Sequence, residues 1–234
     1  MTVVISLGGI FFTDTERIKE VAAAIDEVDR SRHDLYVVAG GGGRAREYIK
    51  IARELGANDA LCDYIGIALT RINAKLLISA LEDAYPEPFL DYIGAATAKV
   101  SGGSERIAVM GGVSPGYTTD AVAAILAEYV NADLLLYVTS VGGIYDADPR
   151  EYPGAKKYEK LTPEKLVAIT MKEELKAGSR IVIDPVASKI IERSRIKTIV
   201  IDRTGPHTIS DAIDGKHCGT ELSPDAVTTY SARK

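Results

Sequence analysis

The sequence predicts an α/β fold built on a mainly parallel sheet, and three observations support this prediction. Short apolar runs rich in valine, isoleucine and leucine alternate with segments whose apolar residues recur at helical spacing. Four of these apolar runs end in glycine: Leu7-Gly8-Gly9, Ala39-Gly40-Gly41, Met110-Gly111-Gly112 and Val141-Gly142-Gly143. Because α/β folds bind ligands beyond the carboxyl ends of their parallel strands, the repetition predicts one crevice at that edge.

The first half of the chain supplies most of the predicted sheet. Thr13 and Glu16 form a capping-box pattern at the start of the first helix, and Pro86 and Pro88 end a long helical pattern that begins near Asp63. The predicted elements are strands at 3–7, 35–39, 107–110 and 134–138, helices at 13–28, 44–55, 63–84, 91–99 and 120–129, and a turn at 101–104.

The pattern changes at Thr139, where turn-forming and polar residues become frequent. The predicted elements here are helices starting at Pro163 and Pro185, short strands at 181–183 and 198–201, a helical turn at 208–213 and an edge strand at 220–222. We interpret 1–234 as a single domain with lobes at 1–138 and 139–224, and 225–234 as a candidate disordered tail.

Composition sets limits on the class of protein. The 234 residues suffice for one large α/β domain, and 46% hydrophobic and 26% charged residues are typical of a soluble globular protein. A net charge of −5 gives no indication of nucleic acid or an anionic membrane as partner. Cys62 and Cys218 form neither a disulfide framework nor a metal-ligand spacing, and no signal or membrane segment is found. We therefore expect a cytoplasmic location and no protein metal site.

The run Gly40–Gly43 lies between a predicted buried strand and a predicted helix. Glycine lets backbone N–H groups approach a ligand closely, and a helix N-terminus favours an anion. Arg44 and Arg46 lie in the first helical turn, where cations oppose the helix dipole, so a bound phosphate would explain them. The alternative is a flexible loop between two core elements.

Two common nucleotide motifs fit poorly. The chain contains no Gly-x-x-x-x-Gly-Lys-Ser/Thr sequence, which excludes a P-loop. Gly40-x-Gly42-x-x-Ala45 matches the relaxed dinucleotide fingerprint, with Asp63 about 20 residues further on. However, this loop follows the second predicted strand, and Asp63 begins a helix instead of ending a strand.

Several motifs in this order carry a resemblance to a known family. They are Leu7-Gly8-Gly9, Gly40-Gly41-Gly42 with Ala45-Arg46-x-Tyr48, Asp63-x-Ile65-Gly66-Ile67, Thr70-Arg71-x-Asn73-Ala74, Gly111-Gly112 with Pro115-Gly116-x-Thr118-Thr119-Asp120-Ala121, Tyr145-x-Ala147-Asp148-Pro149, Ala177-Gly178-Ser179 and Ile183-Asp184-Pro185. From Val3 to about Leu222 the chain resembles the uridylate (UMP) kinases of the amino-acid-kinase superfamily, specifically the archaeal type.

The resemblance implies a three-layer α/β/α sandwich and a kinase that moves the ATP γ-phosphoryl group to UMP with Mg²⁺, in pyrimidine nucleotide biosynthesis, usually as a homohexamer. The residues implied to hold UMP are Gly41, Asp63, Val113, Ser114, Pro115, Gly116, Tyr117, Thr118 and Thr119. Those implied to hold ATP are Gly9, Ile10, Gly42, Arg46, Thr139, Tyr145 and Asp148. Those implied to lie by the transferred phosphoryl group are Arg46, Asp120 and Asp184.

Structural roles are open for many of these residues. Asp184, Asp120 and Asp63 each have the chemistry of a helix N-cap, which is compatible with a ligand role because anions bind where helices start. Tyr145 also fits a turn aromatic that rests on the sheet, and Arg46 a solvated helix residue. Arg71 and Asn73 lie on the long helix, where packing is the first interpretation and a subunit contact or the UMP side the others.

Three positions depart from the family pattern. Ser6 stands where many relatives have a lysine, so positive charge would have to come from Lys189, Lys176 or magnesium. Ile10 replaces a small serine. Gly142 stands where many members carry an aspartate that touches the nucleotide, and Ser140 replaces an asparagine, which puts nucleotide affinity or choice in doubt.

Two other functions fit parts of the pattern. One is a different kinase of the superfamily, for carbamate or isopentenyl phosphate, which would not be expected to combine Asp63-x-Ile65-Gly66 with Thr118-Thr119-Asp120. The other is a non-catalytic nucleotide-binding regulatory protein, because Ser6 and Gly142 leave the ATP side sparse.

Overall fold

The computed structural model describes residues 1–102, 105–149, 151–174, 183–202 and 209–231. The strands within these ranges are β1 (Thr2–Leu7), β2 (Asp34–Ala39), β3 (Ala108–Met110), β4 (Leu134–Thr139), β5 (Tyr158–Leu161), β6 (Thr198–Asp202), β7 (Thr220–Leu222) and β8 (Thr229–Tyr230). The helices are α1 (Thr15–Asp26), α2 (Gly42–Glu54), α3 (Asp59–Ile78), α4 (Tyr92–Gly102), α5 (Thr119–Tyr129), α6 (Pro163–Glu174), α7 (Pro185–Ser194) and α8 (Ile209–Ile213), with a short 3₁₀ helix at Gly9–Phe12.

One mostly parallel sheet runs through the molecule in the order β3-β2-β1-β4-β6-β7-β5-β8. The first five strands are all parallel, while β7 is antiparallel to β6 and β8 is antiparallel to β5. The carboxyl ends of β3, β2, β1, β4 and β6 therefore lie along one edge. This confirms the predicted fold class, whereas the division into lobes at residue 138 stays a prediction.

Apolar side chains alternate between the two faces of the sheet, and helices cover both faces. Val3, Ile5 and Leu7 of β1 point to the face covered by α1, α3 and α8. Val4 points to the opposite face, where α5 and α7 bring a run of small and branched apolar residues. The result is the expected three-layer sandwich, and α2 packs on α3 outside these layers.

Several predicted boundaries are wrong. Asp14, not Thr13, caps α1 and accepts from the Arg17 backbone N–H. The long helix α3 starts at Asp59, because the Asn58 side chain caps it by accepting from the Leu61 N–H. It ends at Ile78, well before Pro86.

The far end of the sheet also differs from expectation. β7 lies inside the sheet between β6 and β5, not at an edge. β5 and β8 were not predicted, and Tyr230 of β8 stacks on Tyr158 of β5 with ring centroids 4.6 Å apart. The strand expected at 181–183 falls largely outside the described residues. Among those residues, no helix combines the length and the apolar character needed to cross a membrane.

Candidate active site

The glycine loops that follow β1 and β2 touch each other through bare backbone. A Cβ atom added at Gly9 would overlap the backbone N and Cα atoms of Gly42, and one added at Gly40 would lie 2.8 Å from the Gly9 nitrogen. Gly42 also has φ +68°, a conformation that favours glycine. Packing by itself therefore requires glycine at these positions, whatever ligand binds there. The contact places the two loops side by side at the sheet edge.

Helix α3 fixes the loops that follow β2 and β3. The Asn73 side-chain amide donates to the Gly40 carbonyl at 2.7 Å, and Arg71 Nε donates to the Gly112 carbonyl at 3.1 Å. The Gly112 N–H donates to Thr70 Oγ1 at 2.7 Å. These contacts agree with the packing interpretation of Arg71 and Asn73, and they show that this packing shapes the loops themselves.

Asp63 lies within α3 and faces the loop Val113 to Thr119. Its Oδ2 atom accepts a hydrogen bond from the Gly116 N–H at 2.8 Å, and Gly116 has φ +83°. The prediction that Asp63 begins a helix or acts as its cap is wrong, because Asn58 has that role. Asp63 instead joins the long helix to the loop after β3, two of the pieces implied to hold UMP. Gly41 precedes the first residue of α2.

Two carboxylates lie at the starts of α5 and α7. Asp184 caps α7, its Oδ1 accepting from the Val186 and Ala187 N–H groups at 2.7 and 3.0 Å. Thr118 caps α5 and donates its hydroxyl to Asp184 Oδ2, so Asp120 is not the cap of that helix. The two helix N-termini are thus joined at the same edge, although the Val186, Ala187 and Ser188 N–H groups of α7 already bond to Asp184.

Asp120 lies close to the end of β1. Ser6 Oγ donates to Asp120 Oδ1 at 3.3 Å, and the buried Tyr137 hydroxyl donates to the Asp120 carbonyl at 2.9 Å. Loss of water around the carboxyl group, followed by the nearby Asp184 charge, raises the pKa of Asp120 to about 7, although the Ser6 hydrogen bond opposes this shift. The Asp120 carboxyl group therefore titrates near neutral pH.

Lys189, one of the cations expected to compensate for the serine at position 6, pairs its Nζ with Glu192 at 2.8 Å on the exposed side of α7. Lys176 and the Ala177-Gly178-Ser179 motif lie outside the described residues. Arg46 is the exposed fifth residue of α2 and forms no ion pair with any residue that the structure describes. Its guanidinium is therefore available to an anion.

Of the residues implied to hold ATP, Gly42 and Arg46 lie in α2, and the others lie at the end of β4 or on the loops that follow β1 and β4. The Gly8 N–H donates to the Val138 carbonyl at 2.9 Å, which joins these two loops. Thr139 Oγ1 accepts from the Val141 N–H and donates to its carbonyl, at 3.0 and 2.7 Å. Ile10 is 40% exposed in the 3₁₀ helix, and the Asp148 carbonyl accepts backbone hydrogen bonds in the turn that follows.

Tyr145 is half-buried beside a cavity of about 1230 Å³. Burial, followed by the negative charge of Asp202, raises its pKa above the ordinary tyrosine value. The remaining walls of the cavity come from the turn at 153–157, from β5 and from the segment 215–219. An aromatic face at the rim of a cavity of this size can stack on a planar base.

Sequence reasoning did not single out Thr70 or Tyr137, nor did it find Asp202 at the end of β6. Their roles come from contacts between residues at least 17 positions apart in the chain. Of these residues, only Thr70 belongs to a motif that the sequence shows, Thr70-Arg71-x-Asn73. That motif indicated the family but not the contacts that its residues make.

Comparisons with known proteins agree with this geometry. Residues 1–202 match the model of the amino acid kinase family. A uridylate kinase from Methanococcoides burtonii is 50% identical, over 95% of this chain and 99% of that protein. The crystal structure of a uridylate kinase from Archaeoglobus fulgidus superposes with a TM-score of 0.84 at 45% identity, covering 95% of this chain and 100% of that one. A UMP kinase from Bacillus anthracis, at 24% identity and a TM-score of 0.78, shares the fold.

Proposed function

Because the chain belongs to the amino acid kinase family, we propose that it is a uridylate kinase that transfers the γ-phosphoryl group of ATP to UMP, giving UDP and ADP. The observation that carries this proposal is the convergence of four strand ends and the starts of α2, α5 and α7 at one edge of the sheet. Phosphoryl transfer requires two anionic groups held in line with their charge offset, which such an edge can provide.

On the acceptor side, Gly41, Asp63 and the loop Val113 to Thr119 hold UMP in this proposal. The support is that Asp63 already accepts from the Gly116 N–H, which leaves its second oxygen for a ribose hydroxyl. The N–H groups at the start of α5 are suited to the UMP phosphate, and Thr118, whose hydroxyl donates to Asp184, holds this helix start in place.

On the donor side, Gly9, Ile10, Gly42, Arg46, Thr139, Tyr145 and Asp148 hold ATP in this proposal. Backbone N–H groups of the glycine loops bind phosphate oxygens, while the Tyr145 ring lies along adenine. Arg46 offsets the charge that spreads over the transferred group, with Asp120 and Asp184 on its other side.

Magnesium fits the donor set of this edge, because Asp184 and Asp120 offer carboxylate oxygens and Mg²⁺ prefers one or two carboxylates together with phosphates. Asp184 would hold the ion through a bound water. When bound, the ion would neutralise phosphate charge, a task for which this chain lacks a lysine at Ser6.

The exposed apolar residues of α2 and α3 support a homo-oligomer. Tyr48 and Ile51 of α2 are 54% and 46% exposed, and Leu61 and Tyr64 of α3 are 51% and 59% exposed. A contiguous apolar surface of this kind fits a second copy of the chain, and the hexamer implied by the family is the proposed assembly. We also propose a cytoplasmic enzyme of pyrimidine nucleotide biosynthesis. Light scattering on the purified protein tests the assembly, and a monomer at micromolar concentration contradicts it.

The decisive experiment supplies ATP, Mg²⁺ and a panel of nucleoside monophosphates, with carbamate and isopentenyl phosphate as further acceptors. UDP formed from UMP, with the other acceptors at least tenfold poorer, supports the proposal. Turnover of carbamate or isopentenyl phosphate identifies another kinase of the family. ATP binding without turnover of any acceptor identifies a regulatory protein.

A further inference from the structure

The Asp202 carboxylate lies against the backbone of Gly142. β4 and β6 are parallel neighbours, and Thr139 at the end of β4 is in register with Asp202 at the end of β6. A Cβ atom added at Gly142 would lie 2.5 Å from Asp202 Oδ2. A side chain at position 142 would therefore displace the carboxylate, and glycine at this position leaves the space that Asp202 occupies.

The surroundings of Asp202 belong to the proposed donor side. Thr139 is its partner across the sheet, and its charge contributes to the raised pKa of Tyr145. Among the residues that the structure describes, none donates a hydrogen bond to this half-buried carboxylate or forms an ion pair with it. The carboxylate is therefore open to a ligand that brings hydroxyl donors.

The position of β6 in the sheet indicates which part of ATP reaches Asp202. Adjacent strands lie about 4.8 Å apart, so the end of β6 is roughly 10 Å from the end of β1, with β4 between them. The phosphates are proposed to lie at the end of β1, where Gly9 meets Gly42. A triphosphate that leads away from that point toward Tyr145 brings its ribose past the end of β6.

We propose that Asp202 accepts hydrogen bonds from the 2′- and 3′-hydroxyls of the ATP ribose, and that Gly142 leaves room for this carboxylate. The inference rests on the proposed function, because it assumes that ATP is the donor. It adds a nucleotide-binding residue on β6, a strand that carries none of the ATP residues proposed above.

The test compares ATP with 2′,3′-dideoxy-ATP in wild type and Asp202→Ala. We expect Asp202→Ala to weaken ATP binding, so that both the KM and the calorimetric Kd for ATP rise about tenfold or more. The KM for UMP should stay unchanged. Dideoxy-ATP should bind equally to both proteins. Asp225→Ala, which removes an exposed carboxylate elsewhere, is the control and should match wild type.

Two results would overturn the proposal: an unchanged ratio of ATP to dideoxy-ATP affinity in Asp202→Ala, whether both affinities fall equally or neither falls, or a change only in the preference for ATP over GTP. Asp202→Asn provides the same comparison if the alanine variant does not fold. Calorimetry separates this inference from the proposed function, because ribose discrimination is measurable even if UMP is not phosphorylated.

A second pair of variants tests the contact itself. Gly142→Ala should weaken ATP binding in the wild-type background, since its methyl group displaces the carboxylate. In the Asp202→Ala background the same change should have a much smaller effect. Equal effects in both backgrounds would show that the two residues are independent and would remove Gly142 from the proposal.

Discussion

The proposed acceptor and donor sides differ in how their loops are held. On the acceptor side, side chains of α3 fix the loops: Asn73 donates to a loop carbonyl, and Thr70 and Asp63 accept from loop N–H groups. On the donor side, Thr139 bonds within its own loop, and the Asp202 carboxylate has no hydrogen-bond partner among the described residues. Hydrogen bonds to α3 therefore fix the conformation of the acceptor loops, whereas the donor side has a carboxylate that is free to bind a ligand.

This difference indicates how the two substrates are selected. A loop held by several hydrogen bonds loses little conformational freedom when a ligand binds, so it can discriminate between close analogues. Groups without a protein partner gain more from a ligand, but they also tolerate more variation. We expect the enzyme to be stricter about UMP than about ATP, and five variants test the difference between the two sides.

Arg46→Ala is expected to have the largest effect, because Arg46 is proposed to bind ATP and to offset the charge of the transferred phosphoryl group. Loss of a charge partner of the transferred phosphoryl group should lower kcat by about 10³-fold or more while the melting temperature stays the same. Steady-state kinetics and a thermal melt measure both. Arg53→Ala, at the other end of α2, is the matched control. A near-normal kcat would remove Arg46 from the mechanism.

Asp184→Asn separates catalysis from helix capping. Asparagine caps a helix about as well as aspartate, so stability should change by less than ~1 kcal/mol. The lost charge should lower kcat by about 10²-fold or more, as measured with saturating ATP and UMP. Thr162→Ala, which removes the cap of α6, should show the opposite behaviour. If Asp184→Asn only lowers the melting temperature, Asp184 is a cap and nothing more.

Gly42→Ala tests the backbone contact between Gly9 and Gly42, which joins the loops after β1 and β2. The added methyl group would overlap Gly9, and the backbone conformation of Gly42 disfavours alanine. We expect a loss of about 1–3 kcal/mol in the free energy of unfolding and weaker binding of both substrates. In Gly43→Ala the methyl group meets no atom within 4 Å, so that variant should behave as wild type. Similar behaviour of the two variants would contradict the packing interpretation.

Asp63→Ala should affect the acceptor side alone. It removes the acceptor for the Gly116 N–H and the proposed partner of the UMP ribose. The KM for UMP should rise about tenfold or more, with the KM for ATP within twofold of wild type. Titration of each substrate at saturating concentration of the other measures this split. An equal rise in both values would mean that the two sides are not independent.

Asp120→Asn tests the pH dependence of stability, separately from the role proposed for Asp120 beside the transferred phosphoryl group. The pKa of Asp120 rises from its ordinary 3.8 to about 7 in the folded protein. Between these values the folded state holds a proton that the unfolded chain has lost, so the free energy of unfolding falls with rising pH. The slope reaches at most about 1.4 kcal/mol per pH unit. Urea unfolding at pH 4–8 with a chelator should show a flatter profile for Asp120→Asn, and identical profiles would contradict the shift.

Much of the fold could be predicted from sequence, because its signals are local. Valine-rich runs such as Leu35 to Ala39 and the glycines after them mark the parallel strands and their ends. Asp184-Pro185 correctly indicated the start of a helix, because an N-cap and a proline act within one turn.

The rest depends on contacts that a local pattern does not contain. β5 is buried only at its two end residues, Tyr158 and Leu161, and its two central residues are exposed. It therefore lacks the alternation of apolar and polar residues that predicts a strand. The start of α3 was misplaced because Asn58, Asp59 and Asp63 all have capping chemistry, and only the folded chain shows which one caps. The contact of Gly142 with Asp202 spans 60 positions and arises from the pairing of β4 with β6.

The direct backbone contact between Gly9 and Gly42 has a consequence for protein engineering. Since no side chain separates these loops, no ordinary point mutation can adjust their spacing. A redesign for another acceptor would have to leave this contact intact and change the exposed residues of the loop from Val113 to Thr119. A library confined to that loop should therefore yield new acceptor preferences more often than one that includes the glycines.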